Sequence, residues 1–217
     1  MVLIVGVDEA GRGPVIGPLV VAGVSIEEKD LDKLKSLGVK DSKLLSPKQR
    51  ERLYSEIIKI VKNYKIIIIQ PEEIDEAIES EMSNLNQLET EKFAVVINYL
   101  KPNRVVIDCP SINREAYKEK IRVYIKGKMN IICEHKADVN HVEVGAASIL
   151  AKVTRDKEIE EIKERIGIDF GSGYPSDEIT KKFLEKYWDK YTHIFRHSWS
   201  SYKNIAAKKK QTKLEEF

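Results

Sequence analysis

The chain has 217 residues, 42% of them hydrophobic and 33% charged, which is enough for one well-buried globular domain and excludes a disordered chain. Its 37 basic and 35 acidic residues give a net charge of +2, so the total does not point to a polyanion and any basic surface must be local. No apolar run reaches the roughly 20 residues of a membrane helix, and the opening MVLIVGVDEAG reads as neither a signal peptide nor a basic leader.

Taken in chain order, residues 2–8 and 19–26 read as strands around a glycine-rich loop. Ser46 and Pro47 open a helix as N-cap and first helical residue, and SPKQRERLYSEIIKIVKNY carries Leu53, Ile57, Ile58 and Val61 along one face. The run Ile66 to Ile69 predicts a central strand. Helices are expected over 72–79 and 84–99, a strand over 105–107 ending at Asp108, a helix over 114–126, a strand over 129–133 and a long helix over 141–165. GSGYPSD (171–177) is turn chemistry, followed by a helix over 178–190 and an aromatic and basic patch. The alternation predicts an α/β domain with a mixed central sheet flanked by helices, plus a small helical C-terminal lobe. Cys109 and Cys133 form no CxxC pair, which suggests a reducing, cytoplasmic setting with each thiol acting as a small buried hydrophobe.

Three apolar runs lead into carboxylates: IVGV into Asp8, VVI into Asp108, and NIICEHKA into Asp138. Open α/β sheets place ligand sites at the carboxyl ends of their strands, so acids distant in sequence can converge there. Strand neighbours face opposite ways, so Asp8 and Glu9 share a site only if the strand ends between them, which a turn at Ala10-Gly11 would allow. Four carboxylates in one cleft repel unless divalent cations lie between them, and hard oxygen donors suit Mg²⁺ or Mn²⁺ rather than zinc. Two such ions can activate water and stabilise a leaving oxygen in phosphoryl transfer. On spacing alone each acid also reads as a turn former or helix cap. Gly11, Arg12 and Gly13 can bring backbone N–H groups to a phosphate or sugar hydroxyl, or can simply make a tight turn. Neither the P-loop nor the dinucleotide pattern is present.

Seven segments together resemble a type 2 ribonuclease H (ribonuclease HII) of the archaeal kind. They are DEAGRGP (8–14), KDSKLLSP (40–47), VVIDCPS (105–111), KAD (136–138), AASILAKVTRD (146–156), GSGYPSD (171–177) and RHSWSS (196–201), in family order over nearly the whole chain. One departure is Gly145, where the family more often has serine; it is expected to loosen a helix near the site. The resemblance implies a ribonuclease H-like fold and two-metal hydrolysis of the RNA strand of RNA–DNA hybrids. It also implies a cut on the 5′ side of ribonucleotides embedded in duplex DNA, leaving 3′-hydroxyl and 5′-phosphate ends. It implies Asp8, Glu9, Asp108 and Asp138 as metal ligands for Mg²⁺ or Mn²⁺. Gly11, Arg12 and Gly13 match the loop that reads the 2′-hydroxyl and phosphate at the junction, Lys43 a backbone contact, and Tyr174 a ring that stacks on the sugar after the junction. Only a 2′-hydroxyl reader separates RNA from DNA at one position.

Without the family, Tyr174 reads as a core cap and Lys43 as a surface lysine. Glu143 reads as a solvated helix position, with a fifth acid near Asp138 as the other reading, and the four histidines read as structural or surface residues. Trp188, Tyr191, Phe195 and Trp199 read as lobe core, with Arg196 and Lys203 reaching toward duplex backbone. The chain ends QTKLEEF, and Gln211, Leu214 and Phe217 resemble the box by which replication proteins dock on a sliding clamp, with Leu214 and Phe217 as apolar plugs. A frayed terminus is the other reading. The expected division is a catalytic domain at 1–170, a helical lobe at 171–207 and a clamp-binding tail at 208–217, in a monomer with roles in ribonucleotide excision and RNA primer removal. Two rivals remain at this point: a non-catalytic nucleic-acid binder on the clamp, and a junction resolvase on the same fold.

Overall fold

The computed structural model describes residues 1–39 and 45–215, with side chains as far as residue 211. Lys43, Phe217 and the side chain of Leu214 lie outside the described residues. The chain begins with strands β1 (Leu3–Ala10) and β2 (Leu19–Glu27), then helices α1 (Leu31–Ser36) and α2 (Pro47–Ile60) and strand β3 (Asn63–Ile69). Helices α3 (Pro71–Glu79) and α4 (Leu85–Leu100), strand β4 (Arg104–Asp108), helix α5 (Arg114–Arg122) and strand β5 (Asn130–Glu134) follow. The remainder is helical: α6 (Ala137–Asn140), α7 (Val142–Ile166), α8 (Glu178–Tyr187) and α9 (Ser200–Glu215).

The five strands form one mixed sheet in the order β3-β2-β1-β4-β5. β1 pairs antiparallel with β2, from Leu3↔Glu27 to Ala10↔Val20. It pairs parallel with β4 from Ile4↔Arg104 to Val7↔Ile107, and β4 pairs parallel with β5 from Arg104↔Asn130 to Asp108↔Glu134. The predicted mixed α/β architecture is therefore the one observed. Three local expectations need correction. The Ile66–Ile69 run is not central: β3 is an edge strand, and most of its side chains are half-buried or exposed. Four isoleucines signal β propensity, not burial on both faces, and Lys65, whose ammonium stands 5.2 Å from the Tyr99 ring, puts a charge on the edge. The helix from Pro47 stops at Ile60, and Asn63 and Tyr64 belong to β3. β1 continues through Ala10 and does not end between Asp8 and Glu9.

The residues group into two compact units. The first comprises 1–10, 20–68 and 86–154; the second comprises 11–19, 69–85 and 155–217. These groupings interleave along the chain, where the sequence reading expects contiguous domains at 1–170, 171–207 and 208–217. In the first unit, β2 presents Val20, Ala22, Val24 and Ile26 to a core shared with Leu53 and Ile57 of α2 and Ala146, Ala147 and Leu150 of α7. Small residues set this approach. A Cβ at Gly6 would lie 2.3 Å from the backbone of Glu143, so α7 rests directly on β1. α2 is started as predicted: Ser46 Oγ accepts from Gln49 N–H at 3.3 Å, and Gln49 Oε1 accepts from Ser46 N–H at 2.8 Å. In the second unit an aromatic core of Phe170, Phe183, Phe195 and Tyr202 takes in Val15 and Ile16 from the glycine-rich segment. Trp188, Tyr191 and Trp199 pack against it, which matches the expected lobe core.

Candidate active site

In the first unit the acids lie at one end of the parallel strands. The β1–β4 pairing ends at Val7↔Ile107, and the next residue on each strand is an aspartate, Asp8 and Asp108. Equivalent positions on neighbouring strands send their side chains to the same face. Asp8 is buried, and its carboxyl is pushed up to about 7. Burial is the largest cause and the charge of Asp108 adds to it; a hydrogen bond from Ser148, the charge of Lys152 and the Glu9 N–H oppose it. Glu9 N–H reaches Asp8 Oδ1 at 2.8 Å, and Lys152 Nζ donates to Ser148 Oγ at 2.6 Å. Ser148 and Lys152 lie one turn apart on α7, so one helix face holds Asp8.

Asp108 is fixed from another direction. Its Oδ1 accepts the Ala137 N–H at 3.0 Å. This requires the chain to turn sharply after β5, and Lys136 does so in the left-handed region at φ 58°. Asp138 follows in the first turn of α6 and is buried. Glu9 leaves β1 on the opposite face from Asp8 and is half-buried; its charge, after burial, contributes to raising the Tyr117 phenol. The structure thus pairs Asp8 with Asp108, ties the Asp138 turn to Asp108, and places Glu9 beside them on the other side of the pleat. Among the described residues, no three His, Cys, Asp or Glu side chains are gathered closely enough to hold an ion as they stand. The donor set still suits a hard cation: all four are carboxylates, and the two paired aspartates raise each other's cost of ionisation, which a bound divalent ion reverses.

Two expectations near the acids are corrected. Glu143 is buried, with its Oε1 3.7 Å from His141 Nδ1, while His141 Nε2 lies 3.1 Å from Glu134 Oε2. Gly145 does not loosen α7: a Cβ there would stand 2.9 Å from the Asp138 carbonyl, so glycine lets the helix close onto the turn that carries this acid. Cys109 and Cys133 are buried and half-buried, as expected of small apolar groups, and burial pushes the Cys133 thiol up to about 12.

In the second unit the glycine-rich loop is held from behind. Arg196 is fully buried, contrary to the reading that sends it to duplex backbone. Its Nε donates to Gly17 O at 3.0 Å, Nη1 to Arg12 O at 3.0 Å and Nη2 to Gly11 O at 2.6 Å. Trp199 Nε1 donates to Gly13 O at 3.1 Å, and its ring lies 4.8 Å from the Arg196 guanidinium carbon. All three carbonyls of Gly11, Arg12 and Gly13 are therefore taken by side chains of the RHSW segment. Gly11 needs its glycine, with φ +86° and a would-be Cβ 2.7 Å from Pro18 O.

The GSGYPSD turn joins the same assembly. Val15 N and Ile16 N donate to Gly173 O at 2.9 and 3.3 Å. Asp177 caps α8 and accepts from Ser172 N–H, the Ser172 hydroxyl and Ile179 N–H, and in that order these bonds bring its carboxyl down to about 2. Tyr174 is 38% exposed, with its Cε1 3.5 Å from where a Gly13 Cβ would stand, so it is not the core cap that local sequence suggests. Gln211 is exposed on α9. Ser148, Lys152 and Arg155 lie in the AASILAKVTRD segment, and no site role is expected of them from sequence. Their signal is the i, i+4, i+7 spacing of polar residues within an apolar helix.

The family model described as Ribonuclease HII matches residues 5–202. The chain is 48% identical to the Ribonuclease HII of Pyrococcus furiosus, over 98% of this chain and 96% of that protein. Among solved structures, the ribonuclease H2 of Pyrococcus horikoshii OT3 is similar with a TM-score of 0.87 and 44% identity, covering 95% of this chain and 98% of that one. The RNase HII in a PCNA:RNase HII complex from Archaeoglobus fulgidus is similar with a TM-score of 0.78 and 42% identity, covering 85% of this chain and 86% of that one.

Proposed function

The chain belongs to the ribonuclease HII family of metal-dependent endoribonucleases acting on RNA–DNA hybrids, and from that premise we propose that it also cuts on the 5′ side of single ribonucleotides in duplex DNA. The products are a 3′-hydroxyl and a 5′-phosphate, as ribonucleotide excision and RNA primer removal require. The observation that carries the reading is the pair of aspartates at matched ends of parallel strands, Asp8 buried and Asp108 half-buried.

In this reading Asp8, Asp108 and Asp138 hold two divalent ions, Mg²⁺ or Mn²⁺, and Glu9, although β1 does not end before it, joins them by bending its longer side chain round the strand end from the other side of the pleat. When bound, the ions supply Lewis acidity and a low-pKa attacking water. The chain's own residues do the rest. Ser148 and Lys152 orient the Asp8 carboxylate, and the Ala137 N–H orients Asp108. Arg196 and Trp199 engage the carbonyls of Gly11, Arg12 and Gly13, so the loop's N–H groups serve the 2′-hydroxyl and phosphate at the junction. Arg12 adds a charge-assisted bond to phosphate and Tyr174 stacks on the sugar beyond the junction. Lys43 contacts the backbone. We read the protein as a cytoplasmic monomer, with Gln211, Leu214 and Phe217 docking on a sliding clamp. The similarity to a clamp-bound relative supports that last assignment.

The test is Mn²⁺ titration by calorimetry alongside cleavage of an RNA–DNA hybrid, for the wild type, Asp8→Asn and Asp108→Asn. The expected result is metal binding and cleavage by the wild type, both lost in either variant with circular dichroism unchanged. Undiminished cleavage by a variant overturns the metal-site assignment.

A further inference from the structure

Arg155 is an arginine that the proposed chemistry does not use, in surroundings that do not favour a charge. It is buried in the second unit, where burial lowers the basicity of its guanidinium. Asp156, a carboxylate near it, is 3.8 Å from Nη1 and half exposed, a geometry that contributes little. Its Nε is buried and makes no hydrogen bond. A well-packed apolar side chain of similar volume is commonly neutral or stabilising in such a place, so stability does not explain this arginine.

Its contacts supply another explanation. Nη2 donates to Ser172 O at 2.8 Å, and the guanidinium carbon stands 5.3 Å from the centre of the Tyr174 ring. A Cβ added at Gly11 would lie 3.3 Å from Arg155 Cγ and Nε, and one at Gly173 would lie 3.4 Å from Nη2. One side chain therefore occupies the space beside the first glycine of the loop and the glycine before Tyr174, and stands over the Tyr174 ring. The tyrosine ring has Gly13 and Arg155 as neighbours, and the cation–π contact favours one ring setting over the others.

We propose that Arg155 is a positioning and specificity residue: it locks the Tyr174 ring to the sugar-reading loop, and the lock matters most when the target is a lone ribonucleotide. The inference rests on the function proposed above. A single embedded ribonucleotide offers one 2′-hydroxyl, so loop and ring must meet it in one register. A continuous RNA strand offers a 2′-hydroxyl at every step, so a loosened ring still finds productive registers. Loss of the lock thus affects the first substrate more than the second.

The experiment compares kcat/KM on a duplex with one ribonucleotide and on a continuous RNA–DNA hybrid, for the wild type, Arg155→Met, Tyr174→Ala and the double variant. Melting temperature is measured for each. Arg155→Met is expected to lower the ratio of single-ribonucleotide to hybrid cleavage by about ten-fold with an unchanged or higher melting temperature. The double variant is expected to match Tyr174→Ala, because Arg155 acts through that ring. Equal loss on both substrates, an unchanged ratio, or additive losses in the double variant overturns the inference. Should Arg155→Met fail to fold, Arg155→Lys, which lacks the planar fork, carries the same comparison. Failure of the wild type to cut at the lone ribonucleotide contradicts the proposed function itself, whereas wild-type cutting with an unaltered ratio in the variant contradicts only the role of Arg155.

Discussion

Asp8 shows how chemistry and stability conflict at a single residue. Its folded pKa is about 7 against an ordinary 3.8, so the folded state holds the proton more tightly than the unfolded chain. The contribution of Asp8 to stability is then greatest below pH 3.8 and declines as pH rises from 3.8 to about 7. In metal-free protein Asp8→Asn is expected to be more stable than the wild type at pH 8, by roughly 1–4 kcal/mol, with the difference gone near pH 4. Denaturant titration with chelator at the two pH values checks this, and the same variant is expected to keep less than about 1% of the cleavage activity. Gly145 makes the converse case. Gly145→Ser puts a Cβ 2.9 Å from the Asp138 carbonyl. It is expected to cost about 1–3 kcal/mol in a denaturant titration, because backbone rather than a flexible side-chain end must give way.

At the scale of elements, the sheet end and the braced loop differ in how far the sequence reveals them. Asp8 and Asp108 are legible because each follows an apolar strand run, whereas Asp138 lies beyond the end of β5, in the first turn of α6, where spacing alone reads equally as a helix cap. The length of β1 is not legible: Ala10-Gly11 reads as a turn after Asp8, but antiparallel pairing with β2 carries the strand on to Ala10↔Val20. β3 misleads because an isoleucine run has the same composition at an edge as at the centre. Arg196 misleads because an arginine between aromatics reads as a surface cation, and only the fold shows three carbonyls turned toward it. Lysine supplies a point charge, not a fork, and cannot satisfy three carbonyls in that geometry. Arg196→Lys is therefore expected to destabilise the protein by about 2–4 kcal/mol in thermal or denaturant unfolding, and to lower cleavage at a ribonucleotide more than it lowers metal binding.

At the scale of the whole molecule, a net charge of +2 gives little long-range attraction for duplex DNA, so recruitment has to come from local contacts or from a partner. The clamp-binding tail supplies such a partner in our reading. Phe217→Ala is expected to weaken clamp binding at least about ten-fold in a titration with the full chain while leaving cleavage of free substrate intact, since it removes one buried aromatic anchor. Family membership and the mixed sheet were legible across nearly the whole sequence, because seven segments agree in order. The interleaving of the two compact units was not, because contacts between residues distant in the chain leave no composition boundary. The most direct test of the account joins the acids to the sugar-reading loop. A duplex with one ribonucleotide and an all-DNA control are incubated with Mg²⁺, with Mn²⁺ and with chelator, and the cut is mapped to the nucleotide. The account predicts one metal-dependent cut 5′ of the ribonucleotide and none in the control. Cleavage of the all-DNA duplex, or a cut that survives chelation, would contradict it.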